Sequence, residues 1–163
     1  MDNFSPLRYP GGKNKTYQYV KYLVENNNID TYIEPFCGGA AVALKLLLNN
    51  NVKRIMLNDF DRSIYAMWFS ILHDTEAFIK RVREAEFTIE EWDKQQDIQK
   101  NKENTDLLTL GFSTFYLNLD CHCGFDTPSV SSKHVANRNS IHSFSWTGFV
   151  WAVPSFSLCQ YPT

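Results

Sequence analysis

Two carboxylates and a pair of glycines carry the clearest chemistry in this chain. The run Thr31-Tyr32-Ile33-Glu34-Pro35-Phe36-Cys37-Gly38-Gly39-Ala40 leads from apolar residues through an acid into a glycine turn, and Asn58-Asp59 closes a second apolar run. Glycines at such a turn let the backbone approach a ligand, and a helix starting there points its free amides at it. Glu34 before the turn suits a cationic or hydroxyl-bearing ligand and would repel a phosphate. Asp59 at the end of the next strand is the usual device for gripping a ribose diol. An S-adenosyl group, with its ribose, amino group and sulfonium, fits these acids better than a dinucleotide does. A plain glycine turn with two helix-capping acids has the same spacing, so the two readings stand side by side here.

Gly11-Gly12-Lys13 resembles part of a phosphate loop, but no glycine stands where that loop requires one. Lys13 is a long cation beside a flexible turn and is suited to holding a carboxylate as a point charge. It reads equally as a surface lysine. Further along, Lys80, Arg81 and Arg83 are candidate phosphate contacts, although three charges on one helix also make an ordinary solvated face.

The elements that must position these residues follow from periodicity. Residues 5–16, rich in Pro, Gly and Lys, are expected to be loop. Tyr17, Val20, Leu23 and Val24 recur at helical spacing, and Asn26-Asn27-Asn28 ends that helix. Residues 31–36 predict a buried strand, 40–48 an apolar helix and 52–57 a second strand, which together form a βαβ unit. Asp61 is placed to cap a helix carrying Ile64, Tyr65, Trp68, Phe69 and Leu72. Helices are then expected over 75–86, from Thr88 (capping-box spacing with Glu91) to about 104, and over 107–118. The change from βαβ to all-helix suggests three parts: 1–69 as an α/β ligand-binding part, 70–118 as a helical subdomain, and 119–163 as an atypical tail.

With 163 residues, 16 basic and 18 acidic, the chain has a formal net charge of -2, which neither requires nor excludes a nucleic-acid partner. No apolar run approaches a membrane span and the N-terminus lacks a signal-peptide core, so the expectation is a cytoplasmic protein with free thiols and no membrane partner. Residues 119–163 hold three of the four cysteines and three of the four histidines but only two of the eighteen acids. Cys121, His122, Cys123, His134, His142 and Cys159 are zinc-type ligands, yet no Cys-x-x-Cys or His-x3-His spacing accompanies them, and no metal site is expected.

Taken in order, Tyr9-Pro10-Gly11-Gly12-Lys13, Ile33-Glu34-Pro35-Phe36-Cys37-Gly38-Gly39-Ala40, Asn58-Asp59-Phe60-Asp61 and Phe115-Tyr116-Leu117-Asn118 with Gly124 resemble the opening of the Dam-type (D12 class) adenine-N6 DNA methyltransferases. The resemblance covers about residues 5 to 125. It implies a Rossmann-like α/β fold, partial here, with a helical insertion, and S-adenosylmethionine as cofactor. It further implies that Tyr9 lies against the cofactor and Lys13 contacts its methionine portion. Gly11 and Gly12 belong to the same segment. Glu34, Pro35, Phe36, Gly38 and Gly39 would form the cofactor turn, and Asp59 would take the ribose hydroxyls. The implied partner is double-stranded DNA, met by the region containing Lys80, Arg81, Arg83 and Asn118.

One departure bears on catalysis. The family carries an Asp-Pro-Pro-Tyr segment that holds the flipped adenine, whereas this chain has no two adjacent prolines. No catalytic residue is therefore assigned. The expectation is a methyltransferase of this type, truncated or frame-disrupted, weakly active or inactive alone. The alternatives are a non-catalytic module binding S-adenosylmethionine or DNA, a subunit paired with a complementary methyltransferase chain, and a small zinc protein built around the tail.

Overall fold

The computed structural model describes residues 5–7, 13–120 and 156–158. A 3₁₀ turn at Lys13–Thr16 leads into helix α1 (Tyr17–Asn26), and strand β1 (Thr31–Glu34), helix α2 (Ala41–Leu48) and strand β2 (Arg54–Leu57) follow. Helices α3 (Arg62–His73), α4 (Thr75–Glu84), α5 (Ile89–Lys100) and α6 (Leu107–Asp120) come next, and strand β3 (Phe156–Leu158) is the last described element. The sheet is parallel throughout, in the order β1-β2-β3, with Glu34 opposite Leu57 and Leu57 opposite Leu158.

The expected βαβ unit is present, its strands shorter than the apolar runs by two residues each. Lys13–Thr16 is helical where loop was expected. Its backbone is tied by the Thr16 hydroxyl donating to Lys13 O at 2.7 Å, a local bond that the Pro/Gly content of the segment conceals. Between the strands, α2 is apolar on nearly every side, and Val42, Ala43, Leu44, Leu46 and Leu47 are all buried. Removing each of these larger side chains from water is worth about 1.5–3 kcal/mol, so α2 is held by its packing.

Asp61 caps α3 as expected, accepting from Ser63 N–H at 2.9 Å. Thr88 caps α5 by accepting from Glu91 N–H at 3.1 Å. The capping box is half made, because the Glu91 carboxylate turns along the helix to Gln95 and Lys94 instead of back to the cap.

The suggested boundary at 69/70 falls inside α3. A single buried cluster contains Leu44, Ile55 and Leu57 from the βαβ unit together with Phe78, Phe112 and Tyr116 from the helical region. The contact of α3 with α6 is close enough that a methyl on Gly111 would stand 2.5 Å from Ala66 O and 2.6 Å from Ser70 Oγ. Residues 156–158, within the expected atypical tail, add a strand to the sheet. The tail cysteines and histidines lie outside the described residues. Among the described residues no helix is long and apolar enough to cross a membrane.

Candidate functional site

The site grows from the carboxyl ends of β1 and β2, where the chain leaves each strand and the ends of a parallel sheet open a crevice. After Glu34 the backbone turns through Pro35-Phe36-Cys37-Gly38-Gly39 into α2. Gly38 adopts φ 48° and Ala40 also sits in the left-handed region, at φ 48°. Glycine takes this conformation freely, whereas alanine takes it at a cost of about 1 kcal/mol. Gly39 is required for a different reason. A side chain there would run into Ser5 Oγ and meet Leu7 O, so only hydrogen lets residues 5–7 pack over the turn.

Hydrogen bonds hold the turn from three directions. Cys37 N–H donates to Asn58 O at 2.9 Å and Asn58 N–H to Glu34 O at 3.0 Å, which joins the two strand ends. The Asn58 amide also donates to Pro35 O at 3.1 Å. Asp59 accepts Gly38 N–H on Oδ2 at 2.8 Å and Asp61 N–H on Oδ1 at 3.0 Å. From α3, the fully buried Trp68 donates its indole N–H to Gly38 O at 2.8 Å. Asp59 is thus a clamp on the turn, and each of its oxygens retains a lone pair for a further donor.

Glu34 is 3% exposed. Lys13 Nζ lies 3.4 Å from its Oε1 and donates to Phe36 O at 3.0 Å. Glu34 Oε2 is buried and accepts no hydrogen bond among the described residues. Burial raises the Glu34 carboxyl above its ordinary range, against the pull of the Lys13 ammonium and the Ala43 amide, while the Asp59 charge adds to the rise. Burial likewise pushes the Tyr32 hydroxyl up to about 12, with Glu34 adding to it. The Cys37 thiol is raised well beyond its usual range by burial and by the Asp59 and Glu34 charges, which disfavours the thiolate that a nucleophile needs.

The geometry therefore brings together Lys13, Glu34, Pro35, Phe36, Gly38, Gly39 and Asp59. Tyr9, Gly11 and Gly12 lie outside the described residues. Two contributors were not singled out from the sequence. Trp68 is one, and Phe60, 81% exposed beside Asp59, is the other. With Phe36, 68% exposed at the end of β1, Phe60 offers an apolar face at the strand ends. An aromatic directly after a strand-end acid is the signal that was available for it.

The segment over residues 9–124 matches the family described as D12 class N6 adenine-specific DNA methyltransferase. The chain belongs to this family. It is similar to the type II methyltransferase M.MjaIII of Methanocaldococcus jannaschii, with 24% identity over 132 residues, covering 72% of this chain and 46% of that protein. It is also similar to the modification methylase StsI of Streptococcus sanguinis, with 34% identity over 88 residues, covering 54% of this chain and 12% of that protein. The chain spans less than half the length of either relative.

The remaining expected residues do not form one cluster. Lys80, Arg81 and Arg83 are exposed on α4. The Arg81 guanidinium donates to Thr109 Oγ1 at 2.9 Å, at the first turn of α6. Asn118 stands near the other end of α6, nine residues and roughly 13 Å further along at the rise of an α-helix. The neighbouring α5 carries Glu90, Glu91, Asp93 and Asp97, which would weaken the pull of the α4 cations on a phosphate backbone.

Proposed function

We propose that this chain is the S-adenosylmethionine-binding portion of a Rossmann-like, site-specific DNA adenine-N6 methyltransferase, weakly active or inactive alone. The observation that carries the reading is the buried Glu34 carboxylate, whose Oε2 accepts no hydrogen bond among the described residues, beside a turn already held in shape. An acceptor left without a donor in a buried place costs about 1–3 kcal/mol, and a ligand ammonium or hydroxyl would recover that cost. Asp59 would take the ribose hydroxyls with the lone pairs its backbone bonds leave over. Lys13 would meet the ligand carboxylate with the third proton of its ammonium, and the faces of Phe36 and Phe60 would cover apolar parts of the ligand. Bound there, the cofactor would supply an activated methyl group to an adenine amine. The turn, strapped by Asn58, Asp59 and Trp68, would contribute orientation without reorganising. Lys80 and Arg83, in no ion pair among the described residues, are the cations left to meet DNA phosphates.

Titration calorimetry with S-adenosylmethionine on the full chain tests the reading. Saturable binding that is lost in Asp59→Ala is expected, and no binding at near-millimolar ligand overturns it. Robust methylation of adenine in DNA by the chain alone would overturn the assignment of low activity. A second reading is a non-catalytic subunit paired with a complementary methyltransferase chain. Methylation that appears only when a separate chain carrying Asp-Pro-Pro-Tyr is added would support it.

A further inference from the structure

We infer that Trp68 is a positioning residue for the ligand turn: its indole fixes the Gly38–Gly39 peptide so that the Gly39 N–H is presented to an anionic oxygen of the ligand. The inference rests on the S-adenosylmethionine reading and adds the group that sets the turn's donor. Four amides line the turn from Cys37 to Ala40, and three are spent. Cys37 N–H goes to Asn58 O, Gly38 N–H to Asp59 Oδ2 and Ala40 N–H to Cys37 O at 2.7 Å. Gly39 is buried with Ser5 and Leu7 against it, and its N–H has no partner among the described residues.

The peptide between Gly38 and Gly39 is planar, and the structure contains no cis bonds among the described residues. In a trans peptide the C=O and N–H point in opposite directions. Gly38 O is directed to the Trp68 indole at 2.8 Å, so the Gly39 N–H is directed away from α3. Gly38 sits at φ 48°, where glycine has no side chain to restrain it. Without the indole, this peptide is free to flip, which would withdraw the amide and turn a carbonyl in its place.

The ligand end that this amide serves follows from the charges around it. Glu34 and Asp59 exclude an anion from their own oxygens. The Lys13 ammonium at Phe36 O and the unspent Gly39 amide are the donors on the turn, so a ligand carboxylate is the group they match. The ribose end belongs to Asp59.

The experiment uses the full chain with two replacements at Trp68: Phe, and the isosteric 3-benzothienylalanine, which keeps the bicyclic shape and removes only the N–H. Calorimetry would compare S-adenosylmethionine with 5′-methylthioadenosine, which lacks the amino-acid end. Both variants should lose about five- to tenfold in affinity for S-adenosylmethionine, the worth of one hydrogen bond, with 5′-methylthioadenosine unchanged. The Gly39 amide resonance should move in the ligand-free variants. If the benzothienyl variant binds S-adenosylmethionine as the wild type does, or loses both ligands equally, the positioning role is overturned while cofactor binding stands. If the wild type binds neither ligand, the cofactor reading itself falls, and this inference with it.

Discussion

Replacing Gly111 by Ala would test whether the sheet and the helices share one core. Gly111 lies on α6 where it crosses α3. The added methyl would stand 2.5 Å from Ala66 O and 2.6 Å from Ser70 Oγ, against 3.4 Å for ordinary contact. A gap of about 0.9 Å must therefore be opened, and the nearest obstacle is helix backbone, which cannot rotate aside. Two terms oppose each other. Alanine favours the helix over glycine by about 1 kcal/mol. Overpacking a closed interface costs about 1–3 kcal/mol. Spreading the helices also strains the Ser70 hydroxyl, whose single proton is shared between Ala66 O at 2.8 Å and Leu107 O at 3.0 Å, for about 1 kcal/mol more. The net expectation is destabilisation by about 1–3 kcal/mol, a fall in Tm of roughly 2–4 °C for each kcal/mol in a chain of this size. Thermal unfolding followed by circular dichroism measures it. Because Trp68 on α3 braces the Gly38–Gly39 turn, the proposed cofactor binding should weaken alongside. An unchanged or raised Tm would refute the reasoning, since propensity would then outweigh a contact drawn too tight.

Glu34→Gln should stabilise the ligand-free protein at neutral pH, because the raised Glu34 pKa means that the folded state pays to keep the group ionised. The folded state binds the extra proton between the ordinary carboxylate pKa of 4.5 and the raised value, so wild-type stability falls as pH rises through that window. The advantage of the variant should fade as pH falls through it, which urea unfolding across acidic to neutral pH would reveal; a constant difference would contradict this. Asp59→Asn keeps the shape but offers one oxygen to two backbone donors, so a loss of about 1–3 kcal/mol in urea unfolding is expected. Lys13→Met removes the cation beside Glu34 and should weaken S-adenosylmethionine binding about tenfold, with 5′-methylthioadenosine less affected in calorimetry.

Much of the turn from Glu34 to Ala40 could be read in the sequence because its parts are local. Apolar runs, an acid and paired glycines within ten residues leave few conformations, and Asn58-Asp59 repeats the pattern after α2. The strands nevertheless proved shorter than their apolar runs. Val52 is buried but lies before the ladder, so hydrophobicity there reports packing and not pairing. What sequence does not carry is contact at long separation. Trp68 reaches Gly38 O across 30 residues and looks in the sequence like any core aromatic of an amphipathic helix. Gly111 looks like a weak point in a helix until α3 is laid against it. The suggested boundary at 69/70 lies within α3 for the same reason: a change of local periodicity does not reveal that Phe112 and Leu44 share a core.

The position of β3 bears on how the molecule comes to be folded. Met56 on the central strand pairs with Ser157, a partner 101 residues later in the chain. During synthesis β1 can join β2 as soon as both have emerged, and α3 to α6 can pack behind them, while the far side of β2 waits for residues 156–158. Closing so long a loop for a ladder of three residue pairs returns little for its entropy. The β2–β3 pairing should accordingly be the slower of the two ladders to form and the first to open, and until residues 156–158 arrive the β3 side of β2 lacks this partner.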